Sequence, residues 1–224
     1  ASYTSTITAS GGFSGAVSLS ISGLPTGATG TFNPSSVSGS GSSTLNITTS
    51  ANTPVGSYTL TITGISGSLT HSATSVLTVS AAPAFSLTAS PSSRTVAQGS
   101  GTTYTPSVTA LNGFSSAVSF SLTGLPSGAT GTFNPASVTG SGSSTLTVAT
   151  AANTPTGTYT LTITGTSGSL TQTAPVTLIV SSAPSFSLAA SPGTQTVVQG
   201  AATSFTPAVT GSNGFSAAVT FSVS

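Results

Sequence analysis

Apolar and hydroxyl-bearing residues alternate with period two through most of the chain. Tyr159, Leu161 and Ile163 fall on one parity and Thr160, Thr162 and Thr164 on the other, the signature of a strand with one buried and one wetted face. The same alternation points Val118, Phe120 and Leu122 inward on an earlier strand, Leu146 and Val148 on another, and Val176, Leu178 and Val180 on a later one. Clusters of Gly, Pro, Asn or Ser close each run, and no stretch shows a helical period of 3.6.

The pattern also repeats at long range. GLPTGATGTFNP at 23–34 returns as GLPSGATGTFNP at 124–135, and ANTPVGSYTLTITG at 51–64 returns as ANTPTGTYTLTITG at 152–165, each 101 residues on. GFS occurs at 12–14, 113–115 and 214–216, and FSLTASP at 85–91 returns as FSLAASP at 186–192. A period near 100 residues is too long for a solenoid and fits one autonomous β-sandwich of about seven strands per repeat. The predicted organisation is residues 1–80, a repeat lacking its first strand; a linker at 81–84; a complete repeat at 85–181; a linker at 182–185; and a partial repeat at 186–224 with first strands only. The Ala/Pro connectors SAAPA and SSAPS should restrict swing more than Gly/Ser would, predicting a rod of beads. Two readings of the incomplete ends stand: a stretch of a longer repetitive chain, or residues 186–202 lending a first strand to the next subunit. The sequence favours the longer chain, because residues 203–224 duplicate residues 1–22.

In the repeated GLPSGATGTFNP, Pro126 and Pro135 are expected to end pairing, and Gly128 and Gly131 to supply positive φ between two strands. Tyr58 and Tyr159 each follow a Pro-x-Gly-x turn, the position of a tyrosine corner whose hydroxyl bonds back to the preceding connection. The GSG runs at 39–41 and 140–142 read as hairpin connections, since no Lys and no helix follow to make a phosphate cradle.

Composition then removes most chemistry. The 224 residues include no Asp, Glu or Cys, one Arg and one His, for a formal charge of +1. Ser and Thr supply 92 residues, so polar faces are hydroxyl faces. Metal-dependent and general acid–base catalysis need carboxylates, thiolates or clustered imidazoles, and a Ser-His-acid triad fails on its third member. No metal or other cofactor is expected, and calcium-stiffened linkers are excluded for want of carboxylates. No basic patch offers a nucleic-acid surface. The most apolar window, VTLIV at 176–180, is too short to span a membrane. Net charge near zero favours self-association, so partners are expected to be other copies or neighbouring repeats, with glycans as a further class.

The FSLxASP opening, NGFS turn, GLPxGATGTFNP, GSGSSTL, TPxGTYTLTITG and closing VTLxV together resemble bacterial Ig-like tandem repeats of large secreted or surface proteins. The resemblance covers essentially the whole chain. It implies tandem immunoglobulin-like β-sandwiches and an extracellular or cell-surface role as spacer, adhesin or fibre segment, sometimes appended to hydrolases, with no shared catalytic residues.

The expectation is a non-enzymatic structural protein, a stalk or filament segment; the alternative is an adhesin or the carbohydrate-binding appendage of a secreted enzyme. Phe114 and Phe133 are the aromatics to examine as ligand contacts, although core or turn packing explains both. Asn46, in the sequon Asn-Ile-Thr on an outward parity, is the candidate N-glycosylation acceptor. His71 and Arg94 are replaced by Gln172 and Gln195 one period on, so neither charge is required where it stands. Thr-rich faces reflect ordinary β-propensity more than ice binding.

Overall fold

The computed structural model describes residues 1–223. Among these there is no helix, and every regular element is a strand, as the period-two pattern requires. The chain divides into two compact units, Ala1–Ala82 and Pro83–Ser224.

The first unit contains β1 (Ser2–Ile7), β2 (Ala16–Ser22), β3 (Ala28–Asn33), β4 (Ser36–Ser38), β5 (Gly41–Thr49), β6 (Gly56–Ser66) and β7 (Leu69–Val79). They form a three-stranded sheet, β1-β5-β3, and a four-stranded sheet, β4-β2-β6-β7, all antiparallel.

The second unit opens with β8 (Ala84–Ser90), β9 (Ser93–Ala97), β10 (Gly101–Leu111), β11 (Ala117–Thr123), β12 (Ala129–Asn134), β13 (Ser137–Thr139), β14 (Gly142–Ser143), β15 (Thr145–Thr150), β16 (Gly157–Ser167) and β17 (Leu170–Ser181). One sheet runs β12-β15-β10, with β14 and β8 also paired to β10; the other runs β13-β11-β16-β17-β9. The result is an immunoglobulin-like sandwich in which β8 lies antiparallel along β10 and β9 lies parallel to β17. A hairpin follows, β18 (Ser185–Ser191) and β19 (Thr206–Ser212), with every residue of both strands exposed.

The parity read from sequence is the burial parity: Leu161, Ile163, Val118, Leu146, Val148, Val176, Leu178 and Val180 are all in the core, while Tyr159, Phe120 and Leu122 pack against it half-buried. Hydroxyls take over the turn-capping that carboxylates often do. Thr154 Oγ1 accepts the Ala151 N–H at 2.9 Å, its counterpart Thr53 Oγ1 accepts the Ser50 N–H at 2.9 Å, and Ser144 donates to the Pro135 carbonyl at 2.6 Å. Both tyrosine corners form: Tyr58 and Tyr159 donate to the carbonyls of Pro54 and Pro155, each at 2.9 Å.

Two local expectations need correction. Gly128 has φ +78°, as expected, but Gly131 does not have positive φ; it lies inside β12, where a Cβ would collide with Leu122. The small residue there answers to neighbouring side chains and not to backbone conformation. The GSG run at 140–142 does not close a hairpin either: β13 pairs with β11 in one sheet and β14 with β10 in the other, so it carries the chain between sheets.

Candidate functional site

The two sandwiches share nearly the same strands, yet their cores differ: fifteen buried apolar residues in the complete repeat against five, Val17, Leu45, Ile47, Leu60 and Leu77, in the first. The difference is traceable to β8 and β9. Phe85 and Leu87 of β8 lie 3.4 Å from where a Cβ on Gly165 would sit, and Phe85 packs on Phe114 with ring centroids 5.3 Å apart. At Gly64, the matching position of the first unit, the same test meets only Val17 and Leu19.

What remains there is a cleft of about 720 Å³, walled by Tyr3, Ile7 and Ala9 on one side and by Phe13, Val17, Ile62, Gly64 and Ala73 on the other, with His71 among the remaining lining residues. Residues that are buried in the complete sandwich are uncovered here: Ala174 is in the core but its counterpart Ala73 is exposed, and Val108 is in the core but Ile7 is half-buried. Ser5 Oγ, another lining atom, is buried without a hydrogen-bond partner among the described residues. The outer edge of β1 also lacks the seven-residue pairing that β8 gives to β10, and β1 stops at Ile7 while β10 continues to Leu111.

The chemistry of this wall is narrow. Its one imidazole, on exposed His71, faces no acid, since the chain has none, and hydroxyls and backbone edges are its other polar groups. Such a wall can pair with a strand and take up apolar side chains. Among the described residues no group of His, Cys, Asp or Glu could hold a metal, and no helix is long and apolar enough to cross a membrane.

The residues singled out from sequence are scattered. Phe114 is 7% exposed inside the core of the second unit, so its ring has no free face for a ligand. Phe133 is half-buried on β12, stacked on Phe120 at 5.4 Å. Asn46 is exposed on β5, between Ser2 of β1 and Thr31 of β3. Arg94 donates from Nε to the Thr103 carbonyl at 3.4 Å, and nearby Tyr104 is buried, its hydroxyl donating to the Thr177 carbonyl at 2.7 Å. Burial pushes the Tyr104 hydroxyl above its ordinary pKa, with the positive charge of Arg94 pulling the other way. The cleft was not expected from the sequence; it lies where the second unit carries β8 and β9.

No family model and no curated protein sequence matches the chain. Solved structures similar to it include domains 4 and 5 of the S-layer protein SbsC, 21% identical over 57% of this chain and 67% of that one, with TM-score 0.36. A three-domain Ig fragment of titin is 11% identical over 95% of this chain and 70% of that one, with TM-score 0.37. An endo-fucoidan hydrolase of glycoside hydrolase family 107 is 16% identical over 82% of this chain but only 26% of that one, with TM-score 0.31. At such scores nothing about activity or partners passes from these proteins to this chain.

Proposed function

We propose that this chain is a non-enzymatic extracellular structural protein, a stalk or filament segment built of tandem immunoglobulin-like domains. The observation that carries the reading is the coupling of a long-period repeat, whose turn motifs recur almost letter for letter, to a surface without acids or thiols: the sequence preserves a backbone path and supplies no side-chain carboxylate or thiol for acid, base or metal chemistry. The surface that replaces ions with hydroxyls suits a spacer exposed at the cell surface, and Asn46 stands where a glycan would project from β5 without entering the core. Electron microscopy of material from the native source tests it. Fibres or stalks projecting from cells are expected; a compact soluble particle would overturn the proposal.

A second reading, an adhesin or carbohydrate-binding appendage, draws on the partial exposure of the stacked Phe133–Phe120 pair, since sugar-binding surfaces use aromatic faces. Glycan-array binding that disappears in Phe133→Ala while the fold persists would favour it.

A further inference from the structure

We propose that the Asn-Gly turns at 112–113 and 213–214 modify themselves: each asparagine cyclises onto the following glycine nitrogen, loses ammonia and reopens as aspartate or isoaspartate, giving the chain its only side-chain carboxylates. This goes beyond the stalk reading, which holds equally for a chain that never changes.

Chemistry singles out these two among the seven asparagines. The step needs a backbone N–H immediately after the asparagine, on a residue small enough to let a five-membered ring close. Asn33 and Asn134 precede Pro34 and Pro135, whose nitrogens carry no proton. Asn46, Asn52 and Asn153 precede the β-branched residues Ile47, Thr53 and Thr154, which crowd the attacking nitrogen. Ile47 is also buried inside β5, and the Thr53 and Thr154 N–H groups donate to the carbonyls of Ser50 and Ala151, each at 3.1 Å. Only Asn112 and Asn213 precede glycine.

The turn geometry leaves the pair accessible. Asn112 and Gly113 lie in the complete sandwich between β10 and β11 with φ +53° and +75°, Asn213 and Gly214 have φ +53° and +78°, and all four residues are exposed. A Cβ placed on either glycine would meet nothing within 4 Å, so the ring has room. The bond that closes each turn is donated by the next residue and not by the glycine: Phe114 N–H to the Leu111 carbonyl at 3.0 Å, and Phe215 N–H to the Ser212 carbonyl at 3.1 Å. Left-handed backbone is unfavourable for a residue with a Cβ, so an asparagine that leaves it to close the ring gives up no favourable dihedral. Nor does the turn demand asparagine, since Gly11 and Gly12 make it in the first unit at φ +59° and +79°, closed by Phe13 N–H to the Ser10 carbonyl at 3.1 Å.

The glycine nitrogen forms a bond to Cγ, the Cγ–Nδ2 bond breaks, and ammonia leaves with the proton that the glycine nitrogen gives up. Water then adds across either imide C–N bond, yielding aspartate or isoaspartate. Each event subtracts one charge at neutral pH from a chain whose formal charge is +1, so modification of both turns reverses its sign. It also alters a contact: Asn213 Nδ2 donates to the carbonyl of Ala183, in the connector 182–185, at 3.1 Å. A carboxylate oxygen cannot donate there, so modification releases the connector from that turn.

The full chain, held for weeks in neutral and in mildly alkaline buffer, tests this by peptide mass mapping. The amide-to-acid mass gain should appear at 112 and 213 at least about tenfold faster than at any other asparagine, a ratio equal to a barrier difference of about 1.4 kcal/mol. It should be faster in the alkaline buffer, because the attacking nitrogen must lose its proton. Asn112→Gly, which copies the Gly11-Gly12 turn, should lose the gain at that site alone and keep its melting profile. Hydrogen exchange in the connector should quicken as the chain ages, and Asn213→Asp should show the quickened rate from the start. A gain at 112 and 213 no faster than elsewhere overturns the proposal, and connector exchange in Asn213→Asp equal to that of the fresh chain overturns the release drawn from it.

Discussion

Gly124 closes the turn after β11 with φ +90°, and a Cβ built there would strike the carbonyl oxygen of Thr160 and lie 3.4 Å from Leu161 Cα. Those atoms belong to the backbone of β16, which is held between β11 and β17 and whose Leu161 is fully buried. The obstacle cannot rotate away as a side chain would. Gly124→Ala therefore incurs about 1–2 kcal/mol for left-handed backbone and about 1–3 kcal/mol for forced displacement of packed atoms, or about 2–5 kcal/mol together. At about 4–8 °C per kcal/mol for a sandwich of about 100 residues, the second unit should melt roughly 8–40 °C lower. Calorimetry with circular dichroism reads this, and Gly23→Ala provides a twin: Gly23 has φ +88° and would strike the Thr59 carbonyl in the same way. The two substitutions should lower different transitions, one per unit. Gly193→Ala is the control, since Gly193 has no left-handed backbone and no atom within 4 Å of its added carbon. A loss below about 0.5 kcal/mol in Gly124→Ala, equal to the control, would refute the reasoning, because a strained and blocked Cβ cannot be that cheap.

Three further outcomes are expected. Tyr104 holds its proton more tightly folded than unfolded, so its contribution is complete below the unfolded pKa of 10.0 and is lost as pH rises above it; with no carboxylates to protonate, the melting temperature should be nearly flat from about pH 2 to 9 and fall only above about pH 10, and a drop of tens of degrees inside the flat range would contradict this. Tyr159→Phe and Tyr58→Phe each remove one corner hydrogen bond, and urea titration should show about 0.5–1.5 kcal/mol lost from the respective unit. Phe133→Ala should cost roughly 1–3 kcal/mol, less than a fully buried Phe because the ring is half exposed, with glycan-array signal unchanged under the structural reading.

Much of the architecture was legible in residue order. Strand parity survived intact because a side chain's face is set by its immediate neighbours: Tyr159, Leu161 and Ile163 could not face inward without Thr160 and Thr162 facing out. The tyrosine corners were legible for the same reason, their acceptor being four residues away. Gly131 was misread because the Leu122 side chain that crowds it comes from another strand. The GSG crossing was misread because sheet membership is a long-range property. Phe114 and Phe133 both lie in repeated motifs, and their ring partners, Phe85 from β8 and Phe120 from β11, come from other strands that local sequence does not name.

By itself, then, the sequence determined an all-β chain of repeating units, which face of each strand is apolar, and the lack of any acid or thiol chemistry. The tertiary structure alone decided that Gly131 is set by packing, that the GSG run crosses between sheets, and that the Phe114 ring is covered by Phe85. The physical reason is one of range. Alternation and turn geometry are written within a few residues, whereas whether an inward side chain is covered depends on strands that pack on it from elsewhere along the chain.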